Sequence, residues 1–260
     1  MRQTNETQER MRHRPKVDEA REFLEITHDF TDPREAIREA ISNSIDWGAT
    51  EIKITVTEDR SRPDEELVIQ VWDNGSGLTE QRVVAFFDLG NSTTAENDSQ
   101  INAVTRRIGY KGHGTKTYYN SREIEVRSCT GRSVCYAVMD SPLQKLMNNE
   151  MPEYEYELEE RNEGETFTEI TIRGYNMNRD KRDFAHDVLK DYVLWFTRFG
   201  SVEHEFGISN NQEKILYLQG LDRSEPERIT FGHRFPPENC DIDRLNEEYP
   251  GDWTNSFVKR

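Results

Sequence analysis

Ile37, Ala40, Ile41, Ser44 and Ile45 recur at helical spacing, so the pattern predicts an amphipathic helix that turns this face inward. Asp32-Pro33-Arg34-Glu35 reads as its start, with Asp32 as N-cap, Pro33 at the first helical position and Glu35 where a capping box places its acid; Gly48 suits the stop. Glu39, Asn43 and Asp46, spaced four and three apart, form one row on the opposite face. Ile52, Ile54 and Val56 then alternate as a strand, and the run 67–72 reads as a strand buried on both sides. A helix is expected over 80–89, and strands over 123–128, 133–138, 154–158 and 166–172. A long helix is expected over 179–199, where Phe184, Val188, Tyr192, Trp195, Phe196 and Phe199 fall at stripe spacing, a pattern of core packing. The segment 203–221 reads as paired strands. The sum is a sheet with helices on one face.

Composition narrows this picture. The 260 residues can bury one good core and the beginning of a second domain, and residues 1–17 are so polar that they read as a flexible arm. Fifty acids against 34 bases leave a net charge of −16, which argues against the chain wrapping nucleic acid by itself, since phosphate binding needs compensating cations. A nucleic-acid role through regions outside this domain stays open. Cys129, Cys135 and Cys240 form no C-x-x-C pair and read as small buried hydrophobes in a reducing interior. With no signal-like opening and no apolar run of membrane-spanning length, a cytoplasmic protein without a membrane partner is expected.

Three motifs carry chemistry. Asp73-Asn74-Gly75-Ser76-Gly77 follows directly on a strand, where a carboxylate backed by glycines can grip a purine; the same residues also suit a hairpin turn. Upstream, the Glu39, Asn43 and Asp46 row suits a nucleotide's metal ion as well as it suits a solvated face. Mg²⁺ carrying phosphates needs few protein ligands, so the Asn43 oxygen is enough, and Glu39 one turn away can take a proton from a water aligned with the terminal phosphate. Asp46 either orients Asn43 or a water, or pairs with a neighbouring cation. Downstream, Gly109-x-x-Gly112-x-Gly114 lies in an acid-free island with Arg106, Arg107, Lys111, Lys116 and Arg122, followed by the helix start Thr115-Lys116-Thr117. Glycines, N–H donors and a helix end suit a polyphosphate, with Lys116 as its direct cation; an ordinary glycine loop with solvated bases is the competing reading. No Walker A sequence occurs, and the glycines lack the Rossmann spacing.

Taken in order, Glu39-Ala-Ile-Ser-Asn43-Ser-Ile-Asp46-Trp-Gly48-Ala-Thr50, Asp73-Asn-Gly75-Ser-Gly77-Leu78 and Gly109-Tyr-Lys-Gly112-His-Gly114 resemble the GHKL ATPase superfamily of DNA gyrase B, the ninety-kilodalton heat-shock chaperones, MutL and histidine kinases. The Asn43 to Thr50 form looks closest to the MutL, chaperone and Morc-like branches. The resemblance implies an α+β Bergerat fold: a two-layer α/β sandwich with a mixed, mostly antiparallel sheet and helices on one face. It implies an ATP-binding domain over 18–200 with a lid at about 90–114, and a C-terminal extension over 201–260 that can open a second, transducer-like domain. Under it Glu39 is the general base, Asn43 the Mg²⁺ ligand, and Asp73 the acceptor for the adenine amino group. Gly77 lets the backbone approach the base, and Gly109, Gly112 and Gly114 wrap the phosphates; Asp46, Gly75, Thr115 and Lys116 complete the nucleotide-binding set. Ser92 and Thr93 belong to the lid. Thr168 supports Asp73 from a closing strand, although Phe167 stands where the family has glycine. The implied activity is Mg²⁺-dependent ATP hydrolysis, slow in isolation, acting as a conformational switch in a larger protein or an ATP-dependent homodimer. Three rivals remain: a nucleotide-binding switch without hydrolysis, a protein kinase of the same fold, and a structural interaction domain. His13 and His28 lie in no long amphipathic helix, which speaks against a sensor kinase.

Overall fold

The computed structural model describes residues 14–62, 64–89, 114–160, 164–201 and 214–231. Its centre is one eight-stranded sheet of β1 (Glu51–Asp59), β2 (Glu66–Asp73), β3 (Glu123–Thr130), β4 (Ser133–Asp140), β5 (Tyr154–Glu160), β6 (Thr166–Arg173), β7 (Ile215–Gln219) and β8 (Glu227–Thr230), in the order β5-β4-β3-β6-β2-β1-β7-β8. Every pairing is antiparallel except β1 with β7. The α+β class and the mixed, mostly antiparallel sheet expected from the sequence are therefore the fold.

Strand alternation sends every second side chain to one face, and the register lines these residues up across the sheet. Leu218, Ile54, Val71, Ile170, Val126 and Ala137 make one buried row across six strands. The row beside it runs Leu216, Ile52, Asp73, Thr168, Ser128 and Cys135, so three adjacent strands place polar side chains where the neighbouring row is wholly apolar. On the other face Lys53 lies over the Trp72 ring at 4.3 Å and Arg127 over Phe167 at 4.9 Å, charged caps on rings that face outward.

The helical layer consists of α1 (Glu19–Asp29), α2 (Glu35–Asp46), α3 (Glu80–Phe87), α4 (Pro142–Met147) and α5 (His186–Phe196). On α2 the buried Ala36, Ile37, Ala40, Ile41, Ser44 and Ile45 are the inward stripe the spacing predicts. Its start differs from the expected capping box. The Asp32 carboxylate accepts from the Arg34 N–H at 3.0 Å and from the Arg34 guanidinium, so Pro33 and Arg34 form a turn and the helix begins at Glu35. Its end is a glycine stop: Gly48 takes a φ of 82°, its N–H binds the Ile45 carbonyl, and the Ala49 N–H binds that of Ser44.

The helix expected over 179–199 is interrupted. Asp180 has a φ of 54°, Lys181–Phe184 form a short 3-10 turn, and Ala185 is extended before α5 begins. The interruption has a tertiary cause, since the His186 N–H is capped by the Asp222 carboxylate at 2.7 Å, from the turn between β7 and β8. The predicted stripe is corrected with it. Phe184, Tyr192 and Phe199 are buried, but Val188, Trp195 and Phe196 are exposed, and Leu189 and Val193 take the inner positions. Of the paired strands expected over 203–221, the described part holds β7 alone; its partner β8 lies further on, at Glu227–Thr230, and the two extend the same sheet beside β1, while residues 202–213 are outside the described residues.

Candidate functional site

Asp73 ends β2 on the inner face, pointing at the helical layer, and is 6% exposed. Each carboxylate oxygen has one partner: Oδ1 accepts from the Gly75 N–H at 2.8 Å and Oδ2 from the Ser44 hydroxyl of α2 at 2.9 Å. Lone pairs on both oxygens are left for a further donor. Burial pushes the Asp73 carboxyl above its ordinary range, while the Gly75 N–H and Ser44 hydroxyl favour its charged form. Asp73 also stands opposite Thr168 on β6, whose hydroxyl lies 3.2 Å from that of Ser128. Ser128 in turn accepts from the Leu78 N–H at 2.8 Å, so this polar row holds the end of the Asp73–Leu78 loop.

The loop is pinned from its other side as well. The Asn74 amide oxygen accepts from the N–H groups of Thr50 and Glu51, both at 2.9 Å, and the Ser76 N–H reaches the Trp47 carbonyl at 3.1 Å. Arg82 of α3 stacks on the Trp47 ring at 3.9 Å and donates to the Gly77 carbonyl at 3.0 Å. Gly77 has a φ of 71° and its α-carbon faces the Cys129 carbonyl so closely that a side chain would collide with backbone. A β-carbon at Gly75 would come within 2.8 Å of the Asp73 carboxylate. Both glycines are thus required by close packing in the loop that holds Asp73.

One residue before Ser44, Asn43 donates its amide to the Glu39 carboxylate; its amide oxygen is the kind of hard, neutral atom that a divalent cation takes. Burial raises the Glu39 carboxyl; Arg38 and the Asn43 amide oppose that shift, and the charges of Asp46 and Glu35 add to it. Asp46 is half-buried at the end of the same row. Among the described residues no group of three or more His, Cys, Asp or Glu side chains could hold a metal ion.

Gly114 opens a 3-10 turn, Gly114–Tyr119, and lies against the Glu39 carboxylate with no space between them for a β-carbon. Thr115 and Lys116 follow, and both bind the end of α3: the Thr115 hydroxyl and the Lys116 ammonium donate to the Phe86 carbonyl at 2.8 Å each, and Tyr119 donates to that of Phe87 at 2.7 Å. Lys116 is fully buried, and its ammonium also reaches the Thr115 hydroxyl at 2.9 Å. Burial pulls its ammonium down to about 7 against the attraction of Asp88 and Glu39. Lys116, expected as a phosphate cation, has its ammonium on the Phe86 carbonyl near the end of α3.

The fold thus brings Glu39, Asn43, Asp46, Asp73, Gly75, Gly77, Gly114 and Thr168 around one corner of the sheet and α2. Ser92, Thr93, Gly109 and Gly112 lie outside the described residues. Sequence reasoning missed Ser128 and treated Ser44 as packing alone. Ser128 carried a signal, because it follows Ile124 and Val126 at inward positions of one strand. Ser44 carried none, since a serine on an apolar helix face is ordinary.

A mostly antiparallel sheet under one helical layer, with a buried strand-end carboxylate bonded to the helix that bears a Glu and Asn row, is the architecture that the resemblance in the sequence implies. A model of the family described as "Histidine kinase-, DNA gyrase B-, and HSP90-like ATPase" matches residues 31–168, just over half of the chain, and the chain belongs to this family. It is similar to DNA mismatch repair protein MutL of Staphylococcus aureus, in strains Newman, JH1 and USA300 alike, with 28% identity over 98 residues. That match covers 38% of this chain and 14% of each relative, so the chain spans a small part of the length of the curated relatives it matches. Among the described residues no helix is long and apolar enough to cross a membrane.

Proposed function

We propose that this chain is a Mg²⁺-dependent ATP-binding and ATP-hydrolysing domain whose nucleotide state drives a lid, and through it a larger assembly. One observation carries the reading: the 2.9 Å bond between Ser44 and Asp73, which sets a strand-end acid beside the helix that bears Asn43 and Glu39. In this reading Asp73 accepts the adenine amino group with the lone pairs that Ser44 and Gly75 leave unused. The Asn43 oxygen, with the phosphates, would hold Mg²⁺, and such an ion would supply positive charge to the phosphoryl group. Glu39, held by the Asn43 amide and raised by burial, takes the proton of the attacking water. Gly109, Gly112 and Gly114 lie along the phosphates, and Ser92 and Thr93 close over them in a lid at about 90–114. Turnover is slow in this chain alone, and ATP-dependent pairing of two copies and a cytoplasmic setting complete the proposal. The mismatch-repair relative raises a role in DNA transactions, for which nucleic acid would be held by regions outside this domain.

The test is phosphate release with Mg²⁺ and ATP, beside calorimetric binding of a non-hydrolysable analogue. Glu39→Ala is expected to retain binding and lose release, whereas Asp73→Asn is expected to lose binding. Equal release by wild type and Glu39→Ala removes Glu39 as the base. Transfer of γ-phosphate label to a protein replaces hydrolysis with kinase activity.

A further inference from the structure

Tyr118 is fully buried, and among the described residues its hydroxyl is the buried side-chain oxygen that finds no hydrogen-bond partner. A buried phenol rarely stays orphaned, because in the unfolded chain water would satisfy it. Its place is specific. Tyr118 belongs to the same 3-10 turn as Gly114, whose backbone lies on the Glu39 carboxylate, and its ring packs 5.8 Å from that of Phe86. The nearby hydroxyl of Tyr175 is already taken, 2.9 Å from Thr117. Burial first, and the charges of Glu39, Tyr175 and Asp73 after it, raise the Tyr118 pKa well above the usual value, so the group stays protonated and is a standing donor. Neither carboxylate accepts that proton within hydrogen-bond distance.

We propose that the Tyr118 hydroxyl is a further positioning group of the nucleotide site, donating to an acceptor atom of the bound nucleotide, directly or through one water carried in with it, beside the turn that sets Gly114 against Glu39. The proposal rests on the ATP-site reading and adds to it a donor where the motifs supply acceptors. It also accounts for the orphan: the group waits without a partner in the ligand-free protein and gains one on binding.

Tyr118→Phe removes the oxygen and keeps the ring, which makes it the test. In the 260-residue chain, calorimetry with a non-hydrolysable ATP analogue and Mg²⁺ is expected to show affinity about fivefold weaker, the size of one net hydrogen bond. Thermal unfolding without nucleotide is expected to show an unchanged or higher Tm, since the orphaned group is gone. Adenosine separates the two kinds of acceptor: a loss seen only with the analogue places it on the phosphate tail, and an equal loss with adenosine places it at the base or sugar. Unchanged affinity overturns the proposal, and so does a lower ligand-free Tm, which would mean that the hydroxyl already has a partner. Asp73→Asn keeps the two levels apart. If it binds like wild type, the ATP-site reading fails; if it loses binding while Tyr118→Phe does not, the Tyr118 proposal alone fails.

Discussion

Gly114 and Gly77 both lack room for a side chain, but the obstacle differs and so does the expected consequence. At Gly114 the obstacle is the far end of the Glu39 side chain and not backbone, so an added methyl group is expected to turn that carboxylate aside, against its bond to Asn43, with little disturbance of the fold. Gly114→Ala is therefore expected to leave Tm nearly unchanged while phosphate release falls about a hundredfold, the scale of a reacting group displaced by an ångström. At Gly77 the obstacle is the Cys129 backbone and the φ is 71°, so Gly77→Ala is expected to lower Tm before any effect on rate is reached. Parallel melting curves and phosphate-release assays on the two variants check the contrast; a large Tm loss in Gly114→Ala would show that the carboxylate cannot yield.

Among the elements, the end of α3 and the Gly114–Tyr119 turn are joined by Thr115, Lys116 and Tyr119, and the segment expected to form the lid runs between them. Lys116 makes this clamp sensitive to pH. Its pKa falls from 10.5 to about 7 on folding, so between those values the unfolded chain holds a proton that the folded chain has released. Stability from this residue therefore rises as pH climbs through that window and is lowest below about 7. Urea unfolding at several pH values is expected to show this rise in the wild type and a flatter profile in Lys116→Met. Identical profiles would mean that the ammonium is well solvated.

For the whole molecule the governing quantity is the net charge of −16. Like charges repel in the compact state more than in the extended one, and salt screens that repulsion over a Debye length of about 10 Å at 0.1 M. The Tm of the ligand-free chain is expected to rise between about 0.01 and 0.15 M NaCl, as scanning calorimetry can measure. A Tm that falls with salt would show that local ion pairs outweigh the overall repulsion.

Local periodicity made α2 and most of the strands legible from the chain itself, because the face a residue occupies within one element depends only on spacing. The acids, amide and glycines of the candidate site were legible for the same reason, each motif being contiguous. What joins them was not. The row Asp73, Thr168 and Ser128 exists because three strands pair in one register, and residues far apart in sequence carry no mark of that pairing. The break before α5 likewise comes from Asp222, and the burial of Lys116 comes from the end of α3. Propensity and spacing thus determined which elements form and which side chains could do chemistry. Packing alone decided which of those side chains meet, since contacts between distant segments depend on the assembled core.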